Sequence, residues 1–138
     1  MEKRGQTSVE YLVIVGFITM IIIGILSVAF LYSGSIRDRI KVIQMENFAN
    51  KIISTAESVS YAGEPSKATI NVYLPEGVES ISINEDEDLL IISLQTASGT
   101  TTNAYSSNVD ISGSFTSSYG LKKIQIGAQG NNVIITQV

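Results

Sequence analysis

The chain lacks both cysteine and histidine. Without cysteine it can form neither disulfides nor thiolate metal sites, so packing and partners must hold it together. Without histidine it lacks the commonest general base, proton shuttle and zinc ligand. Only enzymes built on carboxylates, or on serine and lysine, stay open. We therefore expect a protein that is not an enzyme, with no catalytic residues, no metal and no cofactor.

Positive charge is scarce in the C-terminal half of the chain. From Glu64 onward, eight acidic residues stand against three lysines, and the whole chain has a net charge of −4. A polyanion would be repelled by such a surface, so the sequence argues against nucleic acid as a partner. The acidic residues are expected to keep an exposed domain soluble.

A long apolar run begins near the N-terminus. From Tyr11 to Ile36 the chain has 26 residues without a charged side chain. At about 1.5 Å per residue, a helix of that length crosses a hydrocarbon core of about 30 Å. We predict a transmembrane span over residues 11–32. A secretory signal peptide would have a shorter apolar region and a cleavage site behind it, so no cleavage is expected there.

A short basic leader precedes the apolar run. It contains Lys3 and Arg4 and ends at Gly5, whose missing side chain leaves the next peptide bond open to a protease. Glu10 then places a carboxylate at the edge of the apolar run, where hydrocarbon would reject it. The residues of this predicted processing motif are Lys3, Arg4, Gln6, Ser8 and Glu10.

This beginning resembles that of the archaeal type IV pilins that carry a class III signal peptide. In that family a membrane peptidase cuts before a Gln, in a motif that reads Gln-x-Ser-x-Glu and is followed four residues later by Leu. Gln6, Ser8 and Glu10 match the motif, and Ile14 replaces the Leu. The motif covers the first fourteen residues, and the order of leader, apolar helix and β-rich head is also similar. The resemblance implies removal of residues 1–5 by cleavage between Gly5 and Gln6.

The resemblance also implies a function and partners. The chain would be a membrane precursor that polymerises through its N-terminal helix into an extracellular filament that serves adhesion. The expected partners are identical subunits, a prepilin peptidase, an assembly ATPase and a membrane platform protein. Two other functions stay open: an archaellum filament for swimming, and a solitary membrane-anchored domain that binds a partner. For the latter, the amphipathic helix would pack on its own head or in a coiled coil.

Gln6 and Glu10 are the predicted assembly residues. Cleavage after Gly5 would free the amine of Gln6, and positions four apart share one face of a helix. The Glu10 carboxylate can meet that amine within one helix or in a neighbouring subunit, where the resemblance implies that the pair sets the axial register. The alternative is that Glu10 is only a boundary residue in the lipid headgroup region.

Helical periodicity continues beyond the apolar run. Apolar residues recur at spacings of three to five, with charged and polar residues between them and no interrupting proline. We predict one helix from about Thr7 to about Tyr61, ended by Gly63 as C-cap and by Pro65. The predicted stem covers residues 6–62. Its glycines suit close packing against neighbouring helices or a local bend.

The period changes to two after the helix. Residues 63–138 are predicted to form a small antiparallel β-sheet or sandwich, which makes the fold α+β. Thr96 to Ser118 is rich in Ser, Thr, Asn and Gly and is expected to be a polar loop, either solvated or a contact or glycan-bearing surface. Residues 64–138 alone are expected to be soluble and monomeric, because the apolar surface is concentrated in the stem. The predicted strands cover residues 68–74, 78–83, 89–94, 121–126 and 133–136.

One acidic cluster invites a calcium hypothesis. Asn84, Asp86 and Asp88 have the spacing of an EF-hand opening. However, Leu89 stands where that loop needs Gly, and no glutamate occupies the twelfth position. A charged hairpin tip is therefore the preferred interpretation.

Overall fold

The computed structural model describes residues 3–138, with side chains from residue 9 onward. Packing divides the chain into two compact units, one ending at Arg37 and the other running from Asp38 to Val138. The predictions about Met1 and Glu2, and about the side chains of residues 3–8, lie outside the described part. Those predictions include the leader, the cleavage site and the Gln6 amine.

One long helix, α1, runs from Lys3 to Ala62. At its C-terminus Gly63 adopts a φ of 71°, and its N–H donates to the carbonyls of Val59 at 3.2 Å and Ser60 at 3.0 Å. This is a left-handed glycine cap, which satisfies carbonyls that the helix leaves free. The predicted helix and its C-cap are confirmed.

Seven strands follow in two sheets. The first sheet has the order β1-β6-β7-β5 and the second the order β2-β3-β4. The pairs are antiparallel, except that β5 runs parallel to β7. The α+β fold is confirmed. The strands are β1 (Lys67–Leu74), β2 (Val78–Asn84), β3 (Leu89–Thr96), β4 (Gly99–Ser106), β5 (Asp110–Ser114), β6 (Gly120–Gln129) and β7 (Asn132–Gln137).

The predicted polar loop from Thr96 to Ser118 is wrong. It contains β5 and all of β4, which pairs residue by residue with β3 from Gly99 to Ser106. Strand β4 lies at the edge of its sheet, and threonines supply its β-branched side chains in place of large apolar ones. Phe115 follows β5 and packs edge-to-face on Phe48 of the helix, with ring centroids 6.4 Å apart.

A single hydrophobic core joins the helix to both sheets. The strands contribute inward-facing side chains such as Leu90, Ile92, Ile124 and Ile126. The helical segment 38–62 contributes seven buried side chains: Met45, Phe48, Ala49, Ile52, Ile53, Ala56 and Val59. The sequence placed the head at residues 63–138, after the helix, whereas the packing starts the compact unit at Asp38.

Because the core includes these helix residues, the fragment that we expect to be soluble differs from the one that the sequence predicts. We expect residues 38–138 to fold alone and residues 64–138 to aggregate or stay unfolded. Each large apolar side chain loses about 1.5–3 kcal/mol when its burial is lost, and the shorter fragment removes seven buried helix residues. Circular dichroism and gel filtration of the two fragments test this. A cooperative thermal transition in residues 64–138, at the same temperature as in 38–138, would show that the helix is not part of the core.

Candidate functional site

The N-terminal unit presents apolar side chains on every side of the helix. Described residues in this segment, from Val9 to Tyr32, are exposed, with Phe30 at 84% and Leu31 at 81% of their full accessibility. By length and composition this is the one described helix able to cross a membrane. Such exposure in water would cost far more than a soluble monomer tolerates. The segment is compatible with membrane anchoring.

Hydroxyl groups inside the apolar segment are satisfied within the helix. Thr19 Oγ1 donates to the carbonyl of Val15 at 2.7 Å, and Ser27 Oγ donates to that of Ile23 at 2.8 Å. Hydrocarbon offers no hydrogen-bond partners, so a hydroxyl bonded to the preceding turn can enter it at little cost. The polar residues therefore do not interrupt the predicted span over residues 11–32.

Glu10 is exposed at the start of this segment. It is the one residue of the predicted processing and assembly motif whose side chain is described. Lys3, Arg4, Gln6 and Ser8, with the cleavage site after Gly5, lie outside the described side chains, so the geometry of a Glu10–Gln6 pair stays a prediction. Farther along the helix, a Cβ added at Gly16, Gly24 or Gly34 would meet no atom within 4 Å, which leaves these positions open to close approach by another helix.

The helical segment 38–62 has two distinct faces. One face carries the buried side chains of the core. The opposite face, at about 100° per residue, carries an exposed row that we call the outer stripe. Ile40 and Ile43 in this row are 49% and 55% exposed. The outer stripe consists of Ile40, Ile43, Asn47, Asn50 and Ser54.

The outer stripe repeats at spacings of three and four and contains no charge. That spacing is the seam along which two helices pack against each other. The apolar residues that recur at spacings of three to five do not all face the core. Phe48 and Ile52 are buried, whereas Ile40 and Ile43 are exposed.

Polar contacts fix this helical segment to the strands and so fix which face stays outside. Asp38 Oδ2 accepts from the backbone N–H of Ala97 at 3.0 Å. Glu57 Oε1 accepts from the side-chain amide of Asn108 at 2.7 Å, and Lys51 Nζ donates to the carbonyl of Asn71 at 3.1 Å. Each links the helix to a different part of the β structure, so the outer stripe cannot rotate inward without breaking them.

The acidic segment is the tip of the β2–β3 hairpin. Asn84 pairs with Leu89 across it, and the Asn84 side chain donates to Glu87 Oε2 at 3.0 Å while accepting from the Asp86 N–H at 3.2 Å. Asp88 instead accepts from the N–H of Ile111 at 3.4 Å. The Asn84 and Asp88 side chains accept from two different backbone N–H groups, and the described residues contain no group of three or more acidic side chains placed to hold one metal ion. The segment is a hairpin tip, as the sequence predicts.

Comparison with models of protein families, with curated proteins and with solved structures finds no match for this chain. Its function must therefore be argued from its own residues. The sequence identified the apolar segment and Glu10. It missed the outer stripe. The available signal was that the apolar residues of this segment cover more of the helix circumference than one buried face can hold.

Proposed function

We propose that this chain is a non-enzymatic structural subunit of an archaeal type IV pilus-like surface filament. It is made as a membrane precursor, loses residues 1–5 to a prepilin peptidase, and polymerises with identical subunits through its N-terminal helix. An assembly ATPase and a membrane platform protein drive extraction from lipid. The mature filament lies outside the cell and serves adhesion.

The observation that carries this proposal is the apolar surface that the helix leaves uncovered. Residues 9–36 expose apolar side chains all round, and the outer stripe of the segment 38–62 is uncharged, with exposed isoleucines at Ile40 and Ile43. When lipid is removed, burial of such surface between neighbouring stems stabilises a polymer by about 25 cal/mol per Å². Membrane anchoring alone accounts for the first surface but not for the exposure of Ile40 and Ile43.

Two other functions compete with this one. A solitary membrane-anchored binding domain is favoured by one specific observation: the amphipathic helix packs on its own head, through Phe48 and Ile52 among others. An archaellum filament would share the whole architecture, and a swimming assay of a deletion strain separates motility from adhesion.

The test is electron microscopy of a deletion strain complemented with variants of the chain. Wild type should restore surface filaments in which mass spectrometry finds this protein. Ile43→Lys should insert into the membrane and keep a folded head, because Ile43 is exposed. It should form few filaments, because it places a charge in the uncharged contact between stems.

Leu121→Lys is the matched control. Leu121 is 73% exposed on β6, so this variant adds the same charge at an exposed aliphatic position away from the helix and should leave filaments near normal. Filaments lost in Leu121→Lys and kept in Ile43→Lys would place the contact on the head. No filaments from wild type would favour the solitary domain.

Cleavage between Gly5 and Gln6 is a separate expected result. Mass spectrometry of the mature N-terminus should find it at residue 6. Gly5→Val places a branched side chain at the cleavage site and should leave the full precursor in the membrane. A mature protein that keeps Met1, or begins behind the apolar run near Tyr32, contradicts the processing model.

A further inference from the structure

A polar depression of about 320 Å³ lies on the outer face of the first sheet. Strands β1, β6 and β7 form its floor, and Gly127 sits where β6 crosses it, paired with Lys67 on one side and Ile134 on the other. Around it stand the exposed side chains of Glu64, Lys67, Gln125, Gln129, Ile134 and Thr136.

Gly127 leaves the floor of the depression without a side chain of its own on β6. The register runs regularly through it on both sides, so it marks no bulge, and its φ is not in the left-handed region. A Cβ added there would approach Lys67 Cγ to 3.3 Å, which a small movement of that flexible side chain relieves. Glycine inside a strand costs about 0.5–1 kcal/mol relative to alanine, and here it makes room for the aliphatic stem of Lys67, whose Cγ, Cδ and Cε lie 3.3–3.7 Å from the Cβ position.

The side chains around Gly127 define the chemistry of a ligand that the depression can bind. Gln125 and Gln129 each offer both an amide donor and a carbonyl acceptor. Lys67 and Glu64 balance each other in charge, and Glu64 Oε2 is oriented by accepting from the Gly130 N–H at 3.4 Å. Ile134 and the aliphatic stem of Lys67, which lies over Gly127, add apolar surface.

We propose that the Gly127 depression binds a neutral sugar ring. A pyranose presents hydroxyls that both donate and accept, matching the two glutamines and Thr136, and a face of C–H groups that matches Ile134 and the Lys67 stem. A charged ligand would leave Lys67 or Glu64 opposed to a like charge. The side chains that line the depression are exposed, so a single ring should bind weakly, with a Kd of about 1 mM.

The binding test uses the full chain in phosphatidylcholine nanodiscs, which carry no sugar headgroups. Saturation-transfer NMR is recorded with the methyl glycosides of glucose, galactose, mannose and N-acetylglucosamine, each at about 10 mM so that a millimolar site is filled. At least one glycoside should receive saturation. Subunits in nanodiscs are not polymerised, so this result is independent of the proposed filament.

Gly127→Val tests the location. Valine is a good strand residue and glycine inside a strand is costly, so the thermal midpoint should be equal to or above that of wild type, while the filled floor weakens binding by at least about tenfold. Gln125→Ala should weaken binding as well. Gln95→Ala, at an exposed glutamine on β3 in the other sheet, is the matched control and should bind like wild type.

Three results would overturn the proposal. The first is no saturation of any neutral glycoside. The second is equal binding by wild type and Gly127→Val. The third is stronger binding of methyl glucuronide or of glycerol than of the neutral glycosides, which would mean a charged or unspecific site.

Discussion

Gly113→Ala is expected to remove a large part of the folding free energy of the compact unit from Asp38 to Val138. Gly113 has a φ of 138°, and a Cβ built on it would lie 2.1 Å from the carbonyl oxygen of Ile135. That oxygen belongs to the backbone of β7, so it cannot move without breaking the parallel β5–β7 pairing. Backbone strain and overpacking together should cost roughly 3–6 kcal/mol, a large part of the 5–15 kcal/mol that a domain typically has.

Gly120→Ala separates the two causes. Gly120 has a φ of 114°, but a Cβ there would meet nothing within 4 Å. It should therefore lose only the strain energy, of order 1–3 kcal/mol. Thermal unfolding and hydrogen exchange of the full chain in nanodiscs measure both variants. Equal losses of unfolding free energy in the two variants would contradict this, because they would show that the contact with β7 adds nothing to the backbone strain.

Local pattern was enough to predict the helix and five of the strands. The helix has no interrupting proline and ends at a glycine cap. Strands such as Leu89–Thr96 are short apolar segments that lie beyond the helical periodicity. Each of these signals depends only on residues that are close together in the sequence. The α+β class follows from them without knowledge of the contacts.

Features that depend on distant contacts could not be read in this way. Strand β4 has few apolar residues, and it is a strand because all eight of its residues pair with β3. Tyr105 packs on the core from this strand, and burial raises the pKa of its phenol. A clue was present in the run of threonines, which are β-branched.

The candidate assembly surface shows the same limit. The apolar run can be recognised in the sequence because it is long and uncharged, and Glu10 can be recognised because it places a carboxylate at the edge of that run. The division of the segment 38–62 into a core face and an outer stripe is not, because isoleucines such as Ile43 and Ile52 differ only in what the strands cover. The Gly127 depression likewise exists only once three strands are aligned.

Glu10→Ala is expected to be inserted and cleaved but to assemble poorly. In the proposed filament the Glu10 carboxylate pairs with the amine of Gln6 as subunits enter an apolar environment. Alanine leaves that amine without a partner, and an uncompensated buried charge costs on the order of 3–5 kcal/mol. The cost recurs with every added subunit, so growth should stall. Filaments per cell and the processed fraction are counted together.

Glu10→Asp and Glu10→Gln show whether charge is the cause. The aspartate variant keeps the carboxylate and should retain part of the assembly, whereas the glutamine variant keeps the size without the charge and should behave like alanine. Cyclisation of Gln6 to pyroglutamate would remove the amine, and the mass of the mature N-terminus detects it. Wild-type numbers of filaments from Glu10→Ala would show that Glu10 is only a boundary residue. A carboxylate in the headgroup region pairs with no other subunit, so its removal would not affect assembly.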